Sequence, residues 1–147
     1  MNRAFRKCLE NRKIFPAPHA ESLVRKELSA AEQDLDEAKD RLQNERYKYA
    51  TIDAYYAAFH AARALLYSKG LRERSHHCLS VAIKALFVET GQLEARFVRT
   101  LNNLMSLREE ADYSGSSTRE AAFLCVHYAA EFVEQSRSLL SREVCLL

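Results

Sequence analysis

The side chains of this 147-residue chain that have most chemistry to offer fall into three short stretches. Tyr56, His60 and Arg63 follow one another at steps of four and three, inside a longer series that includes Tyr49, Asp53 and Tyr67. On a helix these positions share one face, so they form a ladder of hydrogen-bonding and charged groups. An arginine fork grips a phosphate through parallel hydrogen bonds, and an imidazole donates or relays a proton near neutral pH. The ladder therefore reads as a ligand-binding row suited to an anion. The same residue types also serve as polar contacts inside a bundle or across a dimer interface, where Tyr and Arg are common. The second stretch is Leu107-Arg-Glu-Glu-Ala-Asp-Tyr113, in which Arg108, Asp112 and Tyr113 are candidate catalytic groups. A local pair between Arg108 and Asp112 is worth only about 0.3 to 0.5 kcal/mol when exposed. Arg108, however, continues an apolar stripe, where a partly buried guanidinium needs a carboxylate, a phenol or a ligand. The third stretch is Arg72-Glu-Arg-Ser-His-His77, which puts Arg74 and His76 at the start of a helix. Helix N-termini attract phosphate, so these two are further ligand-binding candidates, with a solvated loop as the plainer alternative.

Other chemistries are disfavoured. His76, His77 and Cys78 are consecutive and point in three helical directions without a mate one turn away, so no metal site is expected. There is no Gly-rich phosphate loop, no His-Glu-x-x-His and no Gly-x-Ser-x-Gly. No cofactor is expected, and catalysis would have to come from dispersed Arg, His, Asp and Tyr residues.

The elements that must position these residues read as helices. Three glycines and two prolines among abundant Ala, Leu, Glu, Arg and Lys favour an all-α chain, and the length fits one domain over residues 1–147. A short helix is expected from about Arg3 to Asn11, followed by an extended connector at Pro16 and Pro18, up to about residue 20. Five helices then form an antiparallel up-and-down bundle with short connections. The first has the stripe Val24, Leu28, Ala31, Leu35, Ala38 and Leu42. The second, from about Tyr47 to Ser68, sets Ala50, Ala54, Ala57, Ala58, Ala61 and Ala64 on a face that admits a close neighbour, with Gly70 as its cap. A third begins at a Ser75 cap and ends near Gly91, and a fourth runs from about Glu94 to Ala111. Ser114-Gly-Ser-Ser117 is a loop, and Ser117-Thr-Arg-Glu120 has capping-box spacing for the last helix, which extends to about Arg142.

Charge and cysteine usage bound the setting. With 22 basic and 20 acidic residues the net charge of +2 does not by itself argue for nucleic acid. Cys8, Cys78, Cys125 and Cys145 are dispersed, which points to reduced thiols in a cytoplasmic protein, with Cys78 and Cys125 buried and inert. No apolar run approaches the roughly 20 residues that span a bilayer, and no signal-peptide pattern opens the chain.

Together, Cys8-Leu-Glu, Glu27-Leu-Ser-Ala-Ala-Glu-Gln-Asp-Leu35, Ala54-Tyr-Tyr-Ala-Ala-Phe-His-Ala-Ala-Arg-Ala-Leu-Leu66, Ser75-His76 and Leu107-Arg-Glu-Glu-Ala-Asp-Tyr113 form an ordered set. In that order and spacing the chain resembles the HEPN domains (higher eukaryotes and prokaryotes nucleotide-binding), in particular the small stand-alone prokaryotic members. The resemblance covers nearly the whole sequence and implies a helical bundle that forms a homodimer. It also implies a nucleotide or RNA ligand and a small nucleotidyltransferase partner in a toxin-antitoxin pair, with a metal-independent endoribonuclease or a structural interaction module as alternatives. Ribonucleases of that family carry an arginine followed after four to six residues by a histidine. Here Arg108 matches the arginine, while Asp112 and Tyr113 stand where the histidine belongs, so proton transfer would fall to Tyr113, His60 or His76.

Overall fold

The computed structural model describes residues 2–144, which leaves Cys145 outside the described residues. Among the described residues there are six α-helices: α1 (Arg3–Glu10), α2 (Val24–Gln43), α3 (Tyr47–Tyr67), α4 (His76–Ile83), α5 (Ala95–Ser114) and α6 (Arg119–Val144). The protein is all-α apart from a two-stranded antiparallel ribbon, in which β1 (Ile14–Pro16) pairs with β2 (Leu71–Glu73). The expected short N-terminal helix and the five helices after it are all present.

The alanine face of α3 organises the bundle. Ala50, Ala54, Ala57, Ala58, Ala61, Ala62 and Ala64 are all fully buried, and with no side chain beyond Cβ they let α2, α5 and α6 approach closely. The expected stripe of α2 is buried from Val24 to Ala38, with Leu42 half-buried at its end. On α6, Ala122, Val126, Ala129, Val133 and Leu140 are buried in the same core. The turn at 44–46 between α2 and α3 is too short for anything but an antiparallel hairpin.

Four features depart from the sequence-based expectations. The Pro-containing connector is extended, as Pro16 and Pro18 require, but its Ile14–Pro16 segment also hydrogen-bonds to Leu71–Glu73 and so forms a strand. The helix begun by α4 continues through one π turn, Lys84–Val88, closed by the Glu89 amide donating to the Lys84 carbonyl at 2.9 Å. The cap of α6 is Thr118, whose hydroxyl accepts from the Ala121 amide at 3.0 Å. Ser117 instead lies 2.9 Å from the Thr51 hydroxyl on α3. Gly115, at φ +77°, closes α5 in the left-handed conformation that a side chain resists.

The fourth departure corrects the expectation of unpaired thiols. Cys8 and Cys78 form a disulfide, with their Cα atoms 5.9 Å apart. Seventy residues separate them in sequence, yet α1 packs against α4 and brings both sulfurs to one buried spot. Cys125 is the buried free thiol expected, and burial pushes its pKa up to about 11, which keeps it protonated and unreactive. No helix among the described residues is long and apolar enough to cross a membrane.

Candidate functional site

The row on α3 divides into two environments. On the side facing α2, His60 Nδ1 is 2.6 Å from Glu27 Oε2, and its Nε2 is 3.6 Å from Asp34. One turn on, the Arg63 Nε donates to Glu73 Oε2 at 2.9 Å, and Nη1 lies 3.9 Å from Glu27. The Arg63 guanidinium also lies over the rings of Phe59 and Tyr67, 4.7 and 5.8 Å from their centroids. Burial on its own would raise the Glu27 pKa, but the hydrogen bond and charge of His60, with Arg63, bring it below the usual carboxylate value. Asp34 is less well served, and burial holds its pKa up despite His60. In this network three carboxylates surround two basic groups and tie α2, α3 and β2 together, both basic groups being paired while the buried Glu73 Oε1 has no hydrogen-bond partner.

On the side facing α4 and α5 the arrangement is different. Tyr55, fully buried, brings its hydroxyl to 2.7 Å from His76 Nδ1. The His76 ring packs against Phe59, with centroids 4.7 Å apart. Arg108 reaches over from α5 and lies across Tyr55 and Tyr56, 5.0 and 5.7 Å from their ring centroids. Its Nη1 donates to Asp112 at 3.2 Å, while its buried Nε has no hydrogen-bond partner. Burial and the neighbouring Arg108 charge both lower the His76 pKa, so its imidazole is neutral at pH 7. Burial pushes the Tyr55 hydroxyl up to about 12, against the opposing effect of Arg108, so it remains a phenol.

Of the residues proposed from sequence, Arg108, Asp112, Tyr56 and His76 therefore meet in one cluster. His60 and Arg63 sit in the neighbouring carboxylate network. The cluster does not include Arg74, whose guanidinium lies over Phe15 at 4.6 Å. Tyr113 is 97% exposed and makes no contact with the cluster's rings. Local signals account for these placements: Ser75 caps α4 by accepting from the Cys78 amide at 3.1 Å, which fixes His76 in the first turn and turns it toward α3.

The family model described as HEPN domain matches residues 24–139, which takes in α2 to α5, most of α6 and both clusters. The chain belongs to the HEPN domain family. "Putative toxin MJ0605" of Methanocaldococcus jannaschii is 34% identical over 122 residues, covering 80% of this chain and 91% of that protein. A UPF0332 protein of Thermotoga maritima is 36% identical over 83 residues, covering 56% of this chain and 63% of its own. "Putative toxin MJ0142", also of M. jannaschii, is 24% identical over 119 residues, covering 80% of this chain and 81% of that protein.

Within this HEPN fold three contributing residues escape a reading of the sequence. Tyr55 looks like part of the core because the Tyr55-Tyr56 pair lies between alanines, and its role depends on His76 arriving from 21 positions away. Glu27 and Glu73 look like ordinary charged positions. The only local hint for Glu73 is its alternation with Leu71 in a three-residue strand, too short to read without its partner.

Proposed function

We propose that this HEPN protein is the toxin-type member of a two-component system. It binds the phosphate of a nucleotide or RNA at the Arg108 cluster, acts as a homodimer, and has a small nucleotidyltransferase as its antitoxin-like partner. One observation carries the ligand reading: Arg108 is laid across two tyrosine rings with a single, half-exposed carboxylate for company and a buried Nε left over. A guanidinium desolvated on one side and under-paired on the other is suited to an incoming phosphate. The names of the M. jannaschii relatives support the toxin assignment. The test is fluorescence anisotropy with labelled single-stranded RNA and with a labelled mononucleotide. Arg108→Ala is expected to lose at least tenfold in affinity with unchanged helical content by circular dichroism. Wild-type affinity in that variant refutes the assignment.

A second reading, metal-independent RNA cleavage, is favoured by the position of His76. The imidazole missing from the Arg108 segment is supplied in space by α4, in contact with the same Tyr55 that Arg108 covers. In its neutral form His76 can take the proton of a ribose 2′-hydroxyl as that oxygen bonds to phosphorus and the bond to the 5′ oxygen breaks, the leaving oxygen taking a proton from solvent. Arg108 would balance the charge gathering on the phosphorane. Incubation of the purified protein with RNA in EDTA tests this, the expected products ending in cyclic phosphate. Equal cleavage by His76→Ala removes His76 from that role.

A further inference from the structure

The bridge between Cys8 and Cys78 joins the bundle to a segment that lies ahead of it, since the match to the HEPN family begins at residue 24. That segment has one firm anchor and one clasp. The anchor is β1, where Ile14 is buried, the Arg74 amide donates to the Lys13 carbonyl at 2.8 Å, and the Arg74 guanidinium covers Phe15. Just before it Arg12 stands at φ +56°, a left-handed conformation uncommon for any residue but glycine, and α1 lies on the far side of this turn, packed on α4. The buried residues of α1 are Phe5 and Cys8, with Leu9 half-buried beside them. Its N-terminal end is held by exposed hydrogen bonds from Asn2 Nδ2 to the Glu89 carboxylate, at 3.2 and 3.3 Å. A helix of eight residues is marginal by itself, so α1 keeps its place through a few apolar contacts and one covalent bond.

The clasp closes next to the candidate site. Cys78 belongs to the first turn of α4, two residues after His76, and its amide is the one that Ser75 caps. We infer that Cys8–Cys78 is a thiol-disulfide switch: with the bridge closed, α1 pins the first turn of α4 and with it His76; with the bridge open, α1 swings away at Arg12 while β1 and the long helices stay in place. The reductant is a dithiol. One of its thiolates attacks a bridge sulfur and breaks the S–S bond, and the other cysteine leaves as a thiolate that takes a proton. The reductant's second thiol then resolves the mixed disulfide, which leaves two cysteine thiols and the reductant's own disulfide. The reverse exchange, with the oxidised dithiol, closes the clasp. Both bridge residues are buried, so exchange proceeds as the short α1 opens locally. The switch acts on the histidine side of the cluster, whatever Arg108 on α5 binds.

The experiment is hydrogen–deuterium exchange read by mass spectrometry on the full chain, oxidised and after reduction with dithiothreitol, for wild type and Cys8→Ser. On reduction, exchange in residues 3–10 and 76–79 is expected to rise at least about tenfold, while residues 14–16, 71–73 and α3 keep their protection. Cys8→Ser shows the open pattern with and without dithiothreitol. In parallel, the His76 imidazole followed by NMR titrates closer to its ordinary 6.5 in the reduced protein, because it is less buried there. Unchanged exchange on reduction would make the bridge a dispensable staple and overturn the switch. A rise that extends through α3 would overturn it as well, since the bridge would then hold the whole fold. So would a His76 titration that ignores reduction, or a Cys8→Ser variant that stays closed or still responds to dithiothreitol.

Discussion

Arg63 and Arg108 both lie over aromatic rings of α3, yet they end in opposite electrostatic states. Arg63 covers Phe59 and Tyr67 and donates to Glu73, whose side chain is only 3% exposed, with Glu27 close by. Arg108 covers Tyr55 and Tyr56 and meets Asp112, whose side chain is 48% exposed. In the first case the partner is buried and cannot leave without stranding a charge. In the second the partner is a surface group on the same helix, held weakly enough for a ligand to replace it. Helix α3 thus has a saturated arginine of its own on one side and an unsaturated arginine of α5 laid over the other, and residue type alone does not distinguish a structural arginine from a binding arginine.

The comparison breaks most visibly at Arg63. Arg63→Ala leaves the Glu73 carboxylate buried without its cation, so urea denaturation should show a loss of about 3 kcal/mol; a loss below 1 kcal/mol would mean the network is solvated and the contrast false. His60→Ala acts on the same network and is expected to lower stability while leaving RNA affinity at the wild-type level.

The Arg108→Ala change should do the reverse. Its effect on urea stability is expected to stay under about 1 kcal/mol, while phosphate binding loses at least tenfold, about 1.4 kcal/mol. Comparable losses in both measurements would place Arg108 with Arg63.

His76 gives the pH signature of the open side. Its folded pKa lies below the unfolded value of 6.5, so the unfolded chain binds the proton more readily. Its contribution to stability is therefore complete above about pH 6.5 and is lost as pH falls through the lower folded value. Melting temperature measured from pH 7.5 to 4.5 should decline in wild type through that window, and His76→Gln should remove part of the decline. Identical profiles would show that His76 is solvated in the native state.

The smallest effect is expected at Asp112. Asp112→Asn frees Arg108 Nη1 from an i, i+4 pair worth about 0.3 to 0.5 kcal/mol, so phosphate affinity should rise about twofold in isothermal titration. Weaker binding would make Asp112 part of the binding surface and not a competitor for it.

What could be read from the residues follows the range of the forces involved. The alanine face of α3 and the apolar stripes of α2, α5 and α6 are periodic within one segment, so local spacing revealed the helices and the core. The Ser75 cap was legible for the same reason. Contacts between distant segments were not. The β1–β2 ribbon, the Cys8–Cys78 bridge, and the meetings of Glu27 with His60 and Glu73 with Arg63 depend on how helices dock. The site was accordingly half visible. Arg108, Tyr56 and His76 could be named singly, but that His76 rather than Tyr113 stands by Arg108 is a property of the packed bundle.

The alanines of α3 have a consequence for how such a site can change over generations. Ala54, Ala57, Ala58 and Ala61 alternate along the chain with Tyr55, Tyr56 and His60 and are fully buried, so enlarging any of them would force the helix outward, at a typical cost of about 1 to 3 kcal/mol. Drift along α3 is therefore restricted to the few positions that do not touch another helix. New ligand preferences are more readily acquired from the exposed positions of α4 and α5, such as His77, Arg99 and Asn102, which can vary without disturbing the helix they surround. The alanines thereby divide the molecule into a fixed frame and a replaceable vocabulary.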